Sequence, residues 1–347
     1  MIANGISLVV FCYNSEKRIE ETLMHIARQK FTKKIAWELV VVDNNSTDHT
    51  LIATEKAWKT LGCEITFRII SEKKQGLSYA RLAGIKAAAF EIVAFVDDDN
   101  RLFENWVETA FEFMNDHSEI GLCGGQTFPQ YELNPEPWFE KVKHTIAVGE
   151  QGKGIEDITD KRKFVWGAGA VIKKSLIIKA IELGFSNITS SRVPNFLGGG
   201  DDWELACIIR AMNKKIYYND QLKLYHYIPA SRTTWEYIKK NARGYGHSSL
   251  LFDVYEWFIQ GKYLQLPVFW LWVRQIGSFI KPLLKYGFVL FFINLFPKGS
   301  SFAMKLEYVA GRLKAITGTG FTSYAKSISS MKNYFINLQN EKHQVSS

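Results

Sequence analysis

The sequence predicts an α/β fold: a doubly wound sheet with helices on both faces, followed by a helical C-terminal extension. Three observations predict it. Apolar, β-rich runs alternate with segments of helical periodicity four times in the first hundred residues. Those runs end in polar clusters, the last being three consecutive carboxylates, Asp97, Asp98 and Asp99. Near residue 230 the composition changes to an aromatic, basic and apolar mixture with helical spacing.

Residues 6–11 (ISLVVF) are continuously apolar, as a strand buried on both faces of a parallel sheet requires. The chain turns at residues 12–15, where Asn14 or Ser15 is placed to cap a helix carrying Ile19, Leu23 and Ile26. Residues 39–42 form a second buried strand, closed by the polar run 43–48, which serves as turn and N-cap for a helix over 49–61. Residues 65–70 are a third strand. Residues 75–78 then lead into a helix containing Ala80, Arg81 and Gly84. The strand at 92–96 delivers the three carboxylates.

Phe103, Trp106, Val107, Ala110 and Met114 mark one face of a further helix, after which the alternation breaks. Residues 121–128 and 164–172 read as strands, the second interrupted by Gly167 and Gly169. Between them, 129–163 is rich in Pro, Glu, Lys and Gly and is expected to be a loop able to close over a ligand. Gly198, Gly199 and Gly200 open a helix at Asp201, Asp202, Trp203 and Glu204. Residues 215–218 and 222–227 are short strands, the second carrying His226. The resulting division is 1–232 for the sheet domain, in halves of about 1–100 and 101–232, then 233–325 for a helical region and 326–347 for a polar tail expected to fray.

The chain of 347 residues is 47% hydrophobic, so it is globular rather than disordered. Its net charge of +8 points to an anionic partner, a nucleotide or a membrane surface. Nucleic acid is the weakest candidate, because no basic block and no recognition motif is present. Cys12, Cys63, Cys123 and Cys207 form no C-x-x-C pair, which fits reduced thiols in the cytoplasm and neither a disulfide framework nor zinc. Met1 leads straight into the first strand, and no secretory signal is expected. Within 263–297, Arg274, Lys281 and Lys285 keep the apolar runs shorter than the ~20 residues needed to span a bilayer. This stretch suits helices lying in a membrane interface on the inner face of the cell membrane; a helical subdomain packed on the sheet, or a dimer interface, fits it as well.

Three adjacent carboxylates at a strand end repel one another and lose water, so a positive partner is expected among them. A divalent cation, Mg²⁺ or Mn²⁺, suits oxygen ligands and commonly binds through one or two carboxylates plus substrate phosphates. The alternative is a solvated acidic turn. Tyr13, Asn14, Asp43 and His226 also fall at predicted strand ends, which share one edge in a parallel sheet, where such folds bind ligands.

These motifs, in this order, resemble those of a family 2 glycosyltransferase of the GT-A fold. The matching stretches are residues 9–14, 41–48, Gly76 with Ala80 and Arg81, Asp97 to Asp99, and 200–205; the resemblance covers 6–232 and leaves the C-terminal hundred residues unmatched. It implies a GT-A-like mixed sheet and a nucleoside-diphosphate sugar donor, UDP-linked, held by Phe11, Tyr13, Asn14, Asp43, Arg81, Asp97 and Asp98. Asp99, with Asp97 and His226, is implied to hold the divalent cation. It implies Asp202 as the catalytic base, although an Asp-Asp pair stands where relatives more often have Glu-Asp, which leaves Asp201 open as the base. Helix N-terminal acids that only complement the helix dipole are the bland reading of this pair. The three glycines are read as room for a substrate beside the backbone. Trp166 is a candidate to stack on the acceptor, with a core role as its alternative. Arg232 and Asp201 complete the candidate acceptor contacts.

The acceptor so implied is a saccharide, or a lipid-linked saccharide, in surface polysaccharide synthesis. Two rivals stand beside this reading. A sugar nucleotidyltransferase would carry a Gly-rich, basic triphosphate loop near its first strand, and residues 11–18 lack one. A non-catalytic saccharide-binding protein would be expected to lose the triple Asp or Asp202, and both are present.

Overall fold

The structure, a computed structural model, describes residues 3–186, 199–318 and 320–346. It separates into two compact units that interleave along the chain: Met1–Leu133, Ala147–Ile178 and Asn213–Pro229 make the first, and Asn134–Ile146, Lys179–Met212 and Ala230–Ser347 the second.

The first unit is a mixed sheet flanked by helices. Its elements are β1 (Ala3–Cys12), α1 (Ile19–Ala27), β2 (Trp37–Asp43), α2 (Thr50–Leu61), β3 (Thr66–Ser71), α3 (Leu77–Ala87), β4 (Phe90–Asp97), β5 (Asn100–Leu102), α4 (Trp106–Asp116), β6 (Ile120–Tyr131), β7 (Ile155–Asp157), β8 (Val171–Lys173) and β9 (Lys215–Ile228). The strand order is β3-β2-β1-β4-β8-β6-β9-β5, with β7 also paired to β9. β3, β2, β1 and β4 run parallel, and β8 turns the sheet antiparallel beside β4. Burial explains why β1, β2 and β4 read as nearly unbroken apolar runs, whereas the edge strand β3 is only partly covered. Leu8, Val9 and Val10 in β1, and Val93 to Val96 in β4, are fully enclosed because both sheet faces are covered. Gly84 in α3 lets that helix lie directly on the sheet, since a methyl group there would overlap the Val9 side chain.

Four local expectations change. Neither Asn14 nor Ser15 caps α1, whose N-cap is Arg18; the Ser15 carbonyl instead accepts the Arg18 and Ile19 N–H groups. The stretch 164–172 contributes only its last residues to a strand, because Gly169 takes a left-handed φ of +70° and holds the chain against Phe95 by backbone hydrogen bonds. The two short strands expected over 215–227 are one strand, β9, with a register shift against β6 between Gly124 and Gln126. The expected loop at 129–163 contains two short 3-10 helices, Pro137–Lys141 and Lys143–Ile146, and the strand β7.

After α5 (Lys174–Glu182), the second unit contains α6 (Asp201–Ala211), α7 (Trp235–Ile259), α8 (Val268–Tyr286), a 3-10 helix at Val289–Leu295, α9 (Ser301–Gly318) and α10 (Gly320–Ser346). α7 and α9 pack backbone to backbone through Gly246, facing the Tyr308 carbonyl, and Gly311, facing the Arg243 carbonyl; a side chain at either would collide. The C-terminal stretch forms a helix instead of a frayed tail. Tyr324, Ile328, Met331, Phe335 and Leu338 recur at three- and four-residue spacing and are buried. Polar residues on the opposite face dilute that stripe in the sequence.

Candidate active site

The parallel register builds the site. Cys12 pairs with Asp43 across β1 and β2, and Phe11 pairs with Asp97 across β1 and β4. The two carboxylates therefore flank the end of β1 on a single sheet edge, the location at which open α/β sheets take ligands. Asn14 follows in a left-handed conformation with φ of +50°, tolerable for Asn. Its N–H donates to Ser46 Oγ at 3.0 Å, and its Oδ1 accepts from the Thr47 N–H at 2.8 Å, so the turns after β1 and β2 are laced together. Tyr13, between them, is exposed.

Asp98 and Asp99 turn to different partners, so one cation need not neutralise the whole cluster. Asp98 accepts from Arg18 at 2.6 Å and from the Ser15 hydroxyl, while its carbonyl accepts from Thr22 Oγ1. Burial and the adjacent Asp99 charge push the Asp98 carboxyl up, against the pull of Arg18 and Ser15. Arg18 is thus a positive partner that the sequence reading did not find. Asp99 is buried and faces His226, with Nε2 to Oδ1 at 3.5 Å. Asn100 steadies the turn by donating to Asp99 Oδ1 and accepting the Asp97 N–H, each at 3.1 Å. β5 pairing places Asn100 opposite His226, which is how a residue 127 positions beyond Asp99 comes to lie beside it.

Asn44 is a second residue whose role the sequence left open. Its side-chain amide donates to the carbonyls of Glu72 and Lys74 and accepts from the Gly76 N–H at 2.7 Å. It pins the loop before α3 next to Asp43, which is buried and accepts from the Ser46 N–H at 3.3 Å. Arg81 on α3 is buried, its guanidinium 5.4 Å from the Phe95 ring centre, and Phe95 meets Phe11 edge to face. Arg81 is therefore enclosed between α3 and the sheet and is not an exposed helix-surface residue. Trp166 is buried beneath the Arg162 guanidinium, and its backbone N–H donates to Gln151 Oε1.

In the second unit, Asp201, Asp202 and Glu204 occupy the first turn of α6. Asp201 and Glu204 are buried, Glu204 accepting from the Tyr255 hydroxyl at 2.6 Å, whereas Asp202 is half-buried. The glycines have a structural explanation different from the expected substrate space. A side chain at Gly200, whose φ is +128°, would strike the Phe252 ring, and one at Gly199 would come within 2.8 Å of Tyr245. Gly198 lies outside the described residues. Arg232 is half-buried in a short 3-10 helix, Ala230–Arg232.

Among the described residues, no three His, Cys, Asp or Glu side chains gather into a metal cage. Asp99 and His226 nevertheless offer one carboxylate and one imidazole side by side, with Asp97 on the same turn. This small donor set fits Mg²⁺ or Mn²⁺ whose remaining positions are filled by phosphate and water.

Comparison with known proteins adds sequence likeness to this geometry. A stretch of 111 residues is 36% identical to the Staphylococcus aureus poly(ribitol-phosphate) beta-N-acetylglucosaminyltransferase TarS, covering 32% of this chain and 19% of TarS. The chain thus matches about a fifth of that relative's length. The glucosyl-dolichyl phosphate glucuronosyltransferase of Haloferax volcanii is 19% identical over 252 residues, which are 72% of this chain and 77% of that protein. Among solved structures, S. aureus TarS 1–349 in complex with UDP aligns over 98% of this chain and 92% of its own, at 18% identity and a TM-score of 0.48. The stretch that delivers Asp43, Arg81 and Asp97 to Asp99 lies within residues 7–180, which match the sequence model of glycosyl transferase family 2, and the chain belongs to that family.

Proposed function

We propose that the protein transfers a sugar, with inversion, from a UDP-linked donor to a hydroxyl of a saccharide or lipid-linked saccharide during synthesis of a cell-surface polysaccharide. The observation that carries this reading is the register that sets Asp43 and Asp97 on either side of the end of β1, with Asp99 and His226 on the adjoining turn. The activity for which TarS is named, transfer of N-acetylglucosamine to poly(ribitol-phosphate), supports the same class of reaction.

In this mechanism Asp43 accepts the ring N–H of uracil, a group its carboxylate matches. Asp97 holds the ribose, and the turn around Asn14 encloses the nucleotide. Arg81 adds positive charge behind Phe11 and Phe95 for the diphosphate. Asp99 and His226 would hold the divalent cation, which supplies charge to offset that building on the departing diphosphate. Asp202 takes the proton from the acceptor hydroxyl. The acceptor oxygen then bonds to the anomeric carbon from the face opposite the leaving group, and the bond from that carbon to the diphosphate oxygen breaks. Asp202 suits the base better than Asp201 because it is the more exposed of the two.

Calorimetric titration with UDP, GDP and CMP, each with Mn²⁺ and with EDTA, tests the donor site in the wild type and in Asp99→Ala. Metal-dependent binding of UDP that Asp99→Ala abolishes is expected. Folded protein that binds none of the three would sink the transferase reading.

A further inference from the structure

The second unit carries an apolar face that no part of the proposed chemistry uses. α8 buries Leu271, Gln275, Phe279 and Tyr286 along one side, and Gln275 anchors that side by donating to the Leu250 carbonyl. On the other side Trp270, Val273, Ile280, Leu284, Phe288 and Phe291 step along one face into the following 3-10 helix, with the exposed Gly277 filling the one seven-residue gap between Val273 and Ile280. Leu284, Phe288 and Phe291 are 82%, 75% and 85% exposed. Single exposed apolar residues are ordinary, whereas a continuous stripe of large ones marks an interaction surface.

Charge identifies the occupant. From residue 257 to residue 306 the sequence contains six Lys or Arg and no Asp or Glu. Arg274, Lys281 and Lys285 are exposed and each stands one position after a stripe residue, so cationic heads border the apolar face along its length. A surface for a second copy of this chain would place these cations against one another, and Asp253, which lies beside Trp270 and Arg274, is already paired with Arg312. An anionic bilayer offers hydrocarbon to the stripe and negative headgroups to its border.

Among the described residues no single helix is long and apolar enough to cross a membrane. α8 and the 3-10 helix would qualify only together, and they bend by 57° at their junction. The buried side of α8 also ties it to its own unit. We propose that α8 and the 3-10 helix at Val289–Leu295 lie in the plane of an anionic phospholipid surface, with Leu284, Phe288 and Phe291 inserted. The inner face of a cell membrane presents such lipids. This assignment is independent of the transfer reading.

The test is flotation of the full chain with phosphatidylcholine vesicles, with and without phosphatidylglycerol, alongside sedimentation without lipid. Wild type is expected to float only with the anionic vesicles and to be released by salt or by alkaline carbonate. Lys281→Gln with Lys285→Gln weakens partition by about fivefold per charge removed. Leu284→Glu with Phe288→Glu abolishes it while circular dichroism stays unchanged. If the glutamate pair fails to fold, wild-type flotation and the lysine pair still decide. Three results would overturn the proposal: no flotation with anionic vesicles, resistance to carbonate, or a dimer that the glutamate pair dissociates in protein that ignores lipid.

Discussion

Nε2 of His226 lies 3.5 Å from Oδ1 of Asp99, with both side chains almost fully enclosed. β9 brings the imidazole to the carboxylate, so the pair exists only if the antiparallel β5–β9 ladder is in register. Nδ1 of the same ring faces the Ala147 carbonyl at 3.4 Å, which sets its orientation. His226→Gln is expected to weaken Mn²⁺-dependent UDP binding about 10- to 100-fold with little change in melting temperature. Calorimetry on the variant checks this; unchanged affinity would remove His226 from the metal's surroundings.

Asp202 and Asp201 should separate by kinetics. Asp202→Asn is predicted to lower kcat by about 10²- to 10⁴-fold and leave donor affinity intact. Asp201→Asn, at a buried position, should act mainly on thermal stability. Initial rates and UDP titrations on both variants distinguish the two. Equal loss of kcat in both would mean that the first turn of α6 acts as a whole.

Arg18 should matter most near neutral pH. Burial and Asp99 raise the folded-state pKa of Asp98 above its ordinary 3.8. The native state therefore binds that proton more tightly than the unfolded chain does. Ionised Asp98 weakens the fold at neutral pH, and the penalty fades as pH falls through the raised value and is gone below 3.8. Arg18→Met removes an opposing attraction and raises the pKa further. The expected loss is on the order of 2 kcal/mol at pH 7, less than for a fully enclosed pair because Arg18 is partly exposed. Denaturant unfolding at several pH values should show the gap from wild type narrowing on acidification; a widening gap would contradict the assignment.

Asn44→Ala removes three hydrogen bonds that hold residues 72–76 beside Asp43. The expected cost is about 2–3 kcal/mol in stability, together with weaker UDP binding as the loop before α3 loosens. Hydrogen exchange at Gly76 and a UDP titration report the two effects separately. Unaltered exchange there would deny the pinning role.

Gly84→Ala tests the contact between α3 and the sheet. The added methyl overlaps Val9, with Val42 next nearest at 3.2 Å, in a region with no room to yield. A loss of about 1–3 kcal/mol is expected, read as a lower melting temperature. Arg81 rides on the same helix, so donor affinity should fall with it.

The alternation of apolar runs and helical stripes was sufficient to establish the parallel half of the sheet and to bring Asp43 and the three aspartates to strand ends. Both follow from local rules, since burial on two faces leaves a continuous apolar signature and turn chemistry marks where each run stops. The same rules failed at Gly169 and across β9. A positive φ and a register shift there are settled by neighbours far along the chain, and a one-residue choice of that kind leaves no periodic trace. The α10 stripe was hidden for a related reason: its buried positions are few and lie among polar residues on one helix. Partner choice at the site was tertiary throughout. The sequence marked three carboxylates in a row, but which of them meets Arg18 and which meets His226 depends on α1 and β9 arriving from opposite directions in the chain. The chemistry of each residue was thus determined by the sequence alone, and its assignment by long-range packing.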